Sequence, residues 1–162
     1  MVDVDLEKEK KAIPDWDEYF MTLAQVVKLR ANCVSRKVGA VIVKNRRIIA
    51  TGYNGTPMGV TNCLDGGCER CNLRKSGIIA SGQDEEKCIC IHAEQNAITQ
   101  SAYHGISTQG STLYVTTSAC SWCAKMIINA GIVRVVFNET HHNKIGIQLL
   151  HDAHVEVTNL TL

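Results

Sequence analysis

Apolar residues along the chain recur in patterns that alternate between helix and strand. From Trp16 to about Cys33 they return every three or four residues, and Asp15 with Glu18 supplies a capping signal at the start. This spacing predicts a helix. Residues 38–44 and 47–53 are apolar, β-branched runs joined by a short polar connection, which predicts a β-hairpin.

The same alternation continues through the second half of the chain. Helices are predicted over residues 93–103, 122–130 and about 143–153, and strands over residues 112–116, 133–137 and 155–157. Gly105 and Gly131 follow the first two of these helices as stop signals. Strands separated by helices predict an α/β fold with three α/β/α layers and a central mixed sheet of five strands.

One irregular segment interrupts the alternation at about residues 54–90 and is rich in glycine, cysteine and charged residues. The chain has 162 residues and shows no internal repeat or linker. We therefore expect a single domain over residues 1–162 that carries a cysteine-rich insert at about 54–90.

Charge and hydropathy exclude several classes of function. The formal net charge is +1, and the basic residues are dispersed, which favours a small substrate over a nucleic acid polymer. No apolar stretch approaches the roughly 18 residues of a membrane span, and residues 3–11 are charged rather than apolar. A cytoplasmic location is expected, which would be the host cytoplasm for a viral protein.

Two motifs far apart in the chain carry the candidate chemistry. His92 and Glu94 form an H-x-E motif, and Cys120 with Cys123 forms C-x-x-C. One imidazole and two thiolates fill three corners of a tetrahedral Zn²⁺ shell and leave the fourth corner for water. Zinc lowers the pKa of bound water to about 7, and a carboxylate that is not a ligand can then move protons.

Each motif has an ordinary interpretation when it is taken alone. H-x-E is a short tripeptide that also arises by chance, and C-x-x-C also occurs as a redox pair or as half of a structural zinc site. The conjunction favours catalysis, because both motifs begin predicted helices, whose N-termini stabilise negative charge. Zinc nucleobase deaminases carry H-x-E followed by P-C-x-x-C, and this chain differs in having Ala119 at the proline position.

The other cysteines predict a second metal site, since cytosolic thiols are kept reduced. Four thiolates are enough for a closed structural zinc site. The alternative is that some of them are small buried apolar residues. The five candidates, of which four would bind zinc, lie in the insert: Cys63, Cys68, Cys71, Cys88 and Cys90. Cys33 is isolated in the sequence and is expected to lie in the core.

Several segments together resemble the dCMP deaminases of the cytidine deaminase-like superfamily. The resemblance is carried by residues 16–21, 38–43, 52–55, 88–94 and 120–125, and it covers the chain from residue 16 to about 135. It implies the cytidine deaminase-like fold. The cysteine-rich insert is similar to that of family members with an extra zinc ion.

The resemblance also implies the reaction and the role of each motif residue. His92, Cys120 and Cys123 would hold the catalytic zinc, and Glu94 would carry a proton from the zinc-bound water to N3 of cytosine and then toward the departing amino group. The products from dCMP are dUMP, the precursor for thymidylate synthesis, and ammonia.

Regulation and assembly are further implications of the resemblance. The loop with Gly52, Tyr53 and Gly55 is similar to the segment linked to control by dCTP, an activator that would bring Mg²⁺, and by dTTP, an inhibitor. Family members of this type are commonly homo-hexamers. From the residues alone this loop would be a plain Gly/Asn turn.

Substrate contacts are predicted at Asn54 and in the basic turn before the first strand. Asn54 matches the family asparagine in the substrate pocket. Ser35, Arg36 and Lys37 precede the first strand and are candidates for the 5′-phosphate, with Ser35 and Lys37 chosen among them, although a solvated basic turn is the alternative.

Two rival functions remain open on the sequence. A related deaminase acting on free cytidine, guanine, a pterin-like precursor or a tRNA adenosine would use the same zinc and glutamate. A catalytically silent zinc-binding assembly module is the other, and the intact Glu94 argues against it. The other five histidines are expected to be solvated: His104, His141, His142, His151 and His154.

Overall fold

The computed structural model describes residues 13–141 and 144–161, where it contains five α-helices and five strands. The helices are α1 (Trp16–Lys28), α2 (Glu69–Lys75), α3 (Ala93–Tyr103), α4 (Ser121–Asn129) and α5 (Ile145–Asp152). The strands are β1 (Gly39–Lys44), β2 (Arg47–Tyr53), β3 (Thr112–Thr117), β4 (Arg134–Glu139) and β5 (Glu156–Asn159). Single 3₁₀ turns lie at Cys63–Asp65 and Glu85–Lys87.

The strands form one sheet in the order β2-β1-β3-β4-β5. Strand β1 pairs antiparallel with both β2 and β3, whereas β3, β4 and β5 run parallel. The predicted hairpin and the mixed sheet of five strands are thereby confirmed.

Alternating side chains of β1 divide the core between the two faces of the sheet. Ala40 and Ile42 are buried in one apolar cluster with residues of α3, α4 and α5, whereas Val41 and Val43 are buried against α1. Because successive side chains of a strand point to opposite faces, one fully buried strand serves both cores. The result is the predicted three-layer α/β/α architecture.

Two features differ from the sequence prediction by more than two residues. Helix α1 ends at Lys28, not near Cys33, because the backbone N–H of Asn32 donates to the carbonyl of Asn54 instead of continuing the helical ladder. The insert also contains helix α2, which is too short to show a periodic apolar pattern.

An ion pair fixes α1 on the sheet. Both Arg134 Nη atoms donate to the Asp17 carboxylate at 2.7 Å, and the Tyr114 hydroxyl donates to the same carboxylate at 2.7 Å. The Arg134 hydrogen bonds hold the pKa of Asp17 below its usual range. Its contribution to stability is therefore present at neutral pH and is lost as the pH falls through that lowered pKa.

No helix in residues 13–141 and 144–161 is long and apolar enough to span a bilayer.

Candidate metal centre and the pocket beside it

Two helix N-termini bring the predicted zinc ligands together. His92 caps α3, Cys120 caps α4, and Cys123 lies in the first turn of α4. His92 Nδ1 lies 3.4 Å from Cys120 Sγ and 3.3 Å from Cys123 Sγ, and the three atoms lie within 4.8 Å of one another. Tetrahedral zinc with ordinary Zn–S and Zn–N bonds separates such atoms by about 3.6 Å. The three side chains therefore fit a zinc ion.

The backbone on either side of His92 is held in place. Gly55 and Ile91 exchange two backbone hydrogen bonds, of 3.2 and 2.8 Å, just before the ligand. The backbone N–H of His92 then donates to Gln95 Oε1 at 2.9 Å. These contacts fix where α3 begins and hence where the imidazole points.

Close packing restrains the backbone before Cys120, where this chain has Ala119 in place of proline. Ala119 is buried, and a Cβ atom added to Gly146 of α5 would lie only 2.0 Å from the Ala119 carbonyl oxygen. Because α5 approaches the Ala119 backbone this closely, the thiolate loop has little freedom to move. We infer that Ala119 leaves the C-x-x-C segment well positioned.

The electrostatics of the centre favour one thiolate, that of Cys120, because hydrogen bonding between the two cysteines lowers the pKa of Cys120 and raises that of Cys123. Hydrogen bonding by Cys123, assisted by His92, lowers the pKa of Cys120 to about 3. Hydrogen bonding to Cys120 raises the pKa of His92 to about 9. A metal ion would replace the imidazole proton, since binding requires thiolates and a neutral histidine.

Glu94 lies in the first turn of α3 with only 4% of its surface exposed. Burial raises the pKa of its carboxyl group, and the nearby His92 opposes that shift. Glu94 is not one of the three clustered ligands, and it lines the same cavity as His92 and Cys120. A buried carboxyl group beside an open metal position is placed to exchange protons with bound water.

The cavity beside the metal centre also has a basic lining, the basic wall, made of Arg36, Arg70 and Arg74. Besides the metal-centre residues, its lining includes Ser35, Arg36, Asn54, Arg70, Arg74, Glu85, Ser118 and His141. Arginine side chains in the lining of a cavity suit a phosphate, which accepts several charge-assisted hydrogen bonds.

Some of the predicted substrate residues line the cavity and others do not. Asn54 is buried and lines the cavity, where its Nδ2 donates to the Arg36 carbonyl at 2.6 Å and its Oδ1 accepts from the Val38 N–H at 2.8 Å. Ser35 also lines the cavity. Lys37 is exposed and is not among the lining residues.

The pocket residues that the sequence analysis did not indicate include two arginines and a histidine. Arg70 and Arg74 lie on α2 inside the insert, and Arg74 Nη1 donates to Ser35 Oγ. His141 was expected to be solvated, but it is half-buried and lines the pocket, with its backbone N–H donating to Ser118 Oγ at 2.8 Å. Only the spacing of Arg70 and Arg74, one turn apart, could have indicated a shared helical face. His104, His151 and His154 are exposed as expected, and His142 lies outside the described residues.

The proposed regulatory loop has structural reasons for its glycines. A Cβ atom on Gly52 would lie 2.2 Å from the Ala93 carbonyl oxygen, so β2 packs closely on α3 only because this residue is glycine. Gly55 makes the bridge to Ile91 described above. Tyr53 is partly exposed, and its carbonyl accepts a hydrogen bond from the Asn96 side chain at 2.7 Å. A regulatory role for this loop stays a prediction.

The insert gathers its cysteines into one cluster, and Cys33 joins them. The thiols belong to two groups of four whose sulfur atoms lie within 4.8 Å of one another: Cys33, Cys63, Cys71 and Cys90, and Cys68, Cys71, Cys88 and Cys90. Cys33 is buried, as expected, but in this cluster. The sequence did not indicate that Cys33 joins this cluster, because Cys33 lies far from the insert along the chain.

Comparisons with known proteins agree with this geometry. Residues 14–139 match the model of the cytidine and deoxycytidylate deaminase zinc-binding region. The chain is 41% identical over 138 residues to a deoxycytidylate deaminase of Schizosaccharomyces pombe, a match that covers 85% of this chain and 41% of that protein. A deoxycytidylate deaminase of Mycobacterium phage D29 is 41% identical over 128 residues, covering 76% of this chain and 94% of its own.

A solved structure shows the same likeness. The dCMP deaminase of cyanophage S-TIM5, crystallised with dCMP and dUMP, superimposes with a TM-score of 0.74 at 35% identity, covering 91% of this chain and 98% of the other. The chain spans only about two fifths of the length of the S. pombe relative.

Proposed function

We propose that this chain, which belongs to the cytidine and deoxycytidylate deaminase zinc-binding family, hydrolyses dCMP to dUMP and ammonia. The observation that carries the proposal is the buried Glu94 beside a His-Cys-Cys metal centre, in a cavity that three arginines also line. The zinc centre suits hydrolysis, and the basic wall suits a monophosphate.

The residues of the pocket have different roles in the reaction. A zinc ion on His92, Cys120 and Cys123 would supply activated water, because zinc lowers the pKa of bound water to about 7. Glu94 accepts a proton from the water and delivers it to ring N3 while the oxygen adds to the amino-bearing carbon. Glu94 then takes the remaining proton from the added hydroxyl and delivers it to the amino group, so that the C–N bond breaks, ammonia leaves, and the ring carbon keeps the oxygen as a carbonyl.

Arg74 and Ser35 are the groups that we assign to the 5′-phosphate. They are hydrogen-bonded to each other and line the cavity, so a phosphate placed there would contact a positive charge and a hydroxyl together. Arg36 adds a second cation on the same wall.

The phosphate assignment predicts a strong substrate preference. The kcat/KM for dCMP should exceed that for deoxycytidine by roughly two orders of magnitude, since each charge-assisted hydrogen bond contributes about 1.5–3 kcal/mol and about 1.4 kcal/mol is tenfold. Arg74→Ala should lower kcat/KM for dCMP by about 10–100-fold and leave deoxycytidine nearly unchanged. Ammonia release across a panel of nucleotides measures both.

Lys37→Ala is the matched control, because Lys37 is a basic residue near Ser35 that does not line the cavity. A large effect of Lys37→Ala with none of Arg74→Ala would show that the phosphate binds at Lys37 and not at Arg74. Equal rates for dCMP and deoxycytidine, or activity confined to a tRNA, would assign the chain to another branch of the family. No ammonia release from any compound would favour the silent assembly module.

The cysteine-rich insert has a structural role in this proposal. It holds zinc through thiolates, and it carries α2 with Arg70 and Arg74 to the wall of the pocket. We also propose that the enzyme acts in the cytoplasm, or the host cytoplasm for a virus, as a homo-hexamer that supplies dUMP for thymidylate synthesis. Residues 1–162 would be one deaminase domain, and no nucleic acid polymer would bind.

Regulation by dCTP with Mg²⁺ as activator and by dTTP as inhibitor completes the proposal. The support is the resemblance of the Gly52, Tyr53 and Gly55 loop and its position, which leads directly into the bridge before His92. The two triphosphates should move the dCMP saturation curve in opposite directions, to an extent limited by their differential affinity for two states. Saturation curves that neither triphosphate alters would leave this segment as a structural turn.

A further inference from the structure

The six cysteines outside the catalytic motif form a single arrangement of two overlapping tetrads. Cys33 and Cys63 belong only to the first tetrad, Cys68 and Cys88 belong only to the second, and Cys71 and Cys90 belong to both. None of the six is in a disulfide. Every one of them is therefore available as a thiolate ligand.

The sulfur–sulfur distances match the edges of zinc tetrahedra. Zn–S bonds of about 2.3 Å at the tetrahedral angle place two sulfur atoms about 3.8 Å apart. Cys71 Sγ lies 3.7 Å from Cys33 Sγ and 3.6 Å from Cys88 Sγ, so it is within edge distance of a member of each tetrad. Cys68 Sγ and Cys88 Sγ are 3.9 Å apart.

The two shared cysteines lie where bridging ligands belong. Cys71 Sγ and Cys90 Sγ are 3.9 Å apart, the common edge of both tetrads. A thiolate keeps spare lone pairs when it binds one metal ion, so it can bind a second. With two bridging and four terminal thiolates, each zinc ion has the four sulfur ligands of a closed site.

We propose that the insert holds a binuclear zinc cluster of six thiolates, bridged by Cys71 and Cys90. A single zinc ion on either tetrad would leave two cysteines as spare thiols against the metal-bound sulfurs. On the second tetrad those would be Cys33 and Cys63, both buried, and Cys63 Sγ already accepts the Val34 N–H at 3.4 Å. Backbone donors to sulfur are suited to a thiolate ligand, whose orientation they fix.

Arg70, which directly precedes the bridging Cys71 on α2, is a buried cation that a negatively charged cluster would stabilise. Arg70 is only 7% exposed, and its guanidinium donates to the Gln83 carbonyl at 2.9 and 3.1 Å. In the described part of the chain no carboxylate forms an ion pair with Arg70. Two Zn²⁺ ions and six thiolates sum to a charge of about −2, which offsets a buried cation that would otherwise be costly.

The cluster connects the segments that form the pocket. Cys33 lies two residues before Ser35, Cys71 lies on α2 between Arg70 and Arg74, and Cys90 lies two residues before His92. Metal binding at such a site contributes to folding free energy. The cluster would thus fix the position of the basic wall relative to the catalytic centre.

Zinc stoichiometry and cadmium NMR test the proposal on the intact protein, independently of its substrate. Purified under reducing, zinc-replete conditions, the chain should contain about three zinc ions, one at the His-Cys-Cys centre and two in the cluster. After exchange with ¹¹³Cd, two resonances in the all-thiolate region should show scalar coupling to each other through the shared sulfurs. One all-thiolate resonance, about two zinc ions, or iron in place of zinc would overturn the proposal.

Matched double variants locate the two metal ions. Cys33→Ser with Cys63→Ser and, separately, Cys68→Ser with Cys88→Ser should each release about one zinc ion and abolish the cadmium–cadmium coupling. If either pair leaves the zinc content unchanged while the other lowers it, the cluster is mononuclear. The coupling measured on the unmodified chain remains decisive should a variant fail to fold.

Discussion

Replacement of Glu94 by glutamine should lower kcat for dCMP by about 10²–10⁴-fold, the usual contribution of a positioned general acid and base. The side chain keeps its shape and its buried position but no longer accepts a proton from water at neutral pH. Since Glu94 is not a ligand, the zinc content and the thermal unfolding midpoint should stay close to those of the parent protein. Steady-state ammonia release and elemental analysis measure the two properties.

Glu156→Gln is the matched control, because its carboxylate is exposed and pairs with Arg134, and neither residue lines the cavity. It should leave turnover unchanged. Near-normal turnover by Glu94→Gln would remove the proton-transfer step from the mechanism. Loss of zinc from Glu94→Gln would instead make the carboxylate part of metal retention.

The catalytic centre could be predicted from the sequence because its chemistry is local. His92 with Glu94 and Cys120 with Cys123 each lie within one helical turn, and each pair starts a helix whose period is visible. The order of the strands in the sheet was not predicted, but the mixed sheet followed from the alternation of elements. Local spacing was thus enough to predict the two catalytic motifs and the three-layer α/β/α architecture.

Other features depended on contacts between distant segments. Cys33 lies in the cluster because α1 ends at Lys28 and the backbone N–H of Asn32 donates to the Asn54 carbonyl. No local sequence pattern indicates that contact. Arg74 lies in a seven-residue helix that begins after Cys68 and carries Cys71, both buried in the cysteine cluster. The proposed zinc ions would order this segment through thiolate ligands, which leave no periodic apolar pattern in the sequence.

Replacement of Cys120 by serine should remove the catalytic zinc and with it essentially all deamination. The low pKa of Cys120, about 3, means that a thiolate is available at every pH where the enzyme would work, whereas a serine hydroxyl stays protonated and binds zinc poorly. The loss should exceed the roughly 10²–10⁴-fold loss of Glu94→Gln, because both the activated water and its orientation disappear. Elemental analysis should find one zinc ion fewer per chain than in the parent protein.

Ser121→Ala is the neighbouring control, since Ser121 lies between the two cysteine ligands but does not line the cavity. It should keep both zinc content and activity. The cadmium resonances of the thiolate cluster should also survive in Cys120→Ser, because no cluster sulfur belongs to the His-Cys-Cys group. Full activity of Cys120→Ser with an unchanged metal content would contradict the assignment of His92, Cys120 and Cys123 as the catalytic ligands. Simultaneous loss of every zinc ion would show that the two metal centres fold as one unit.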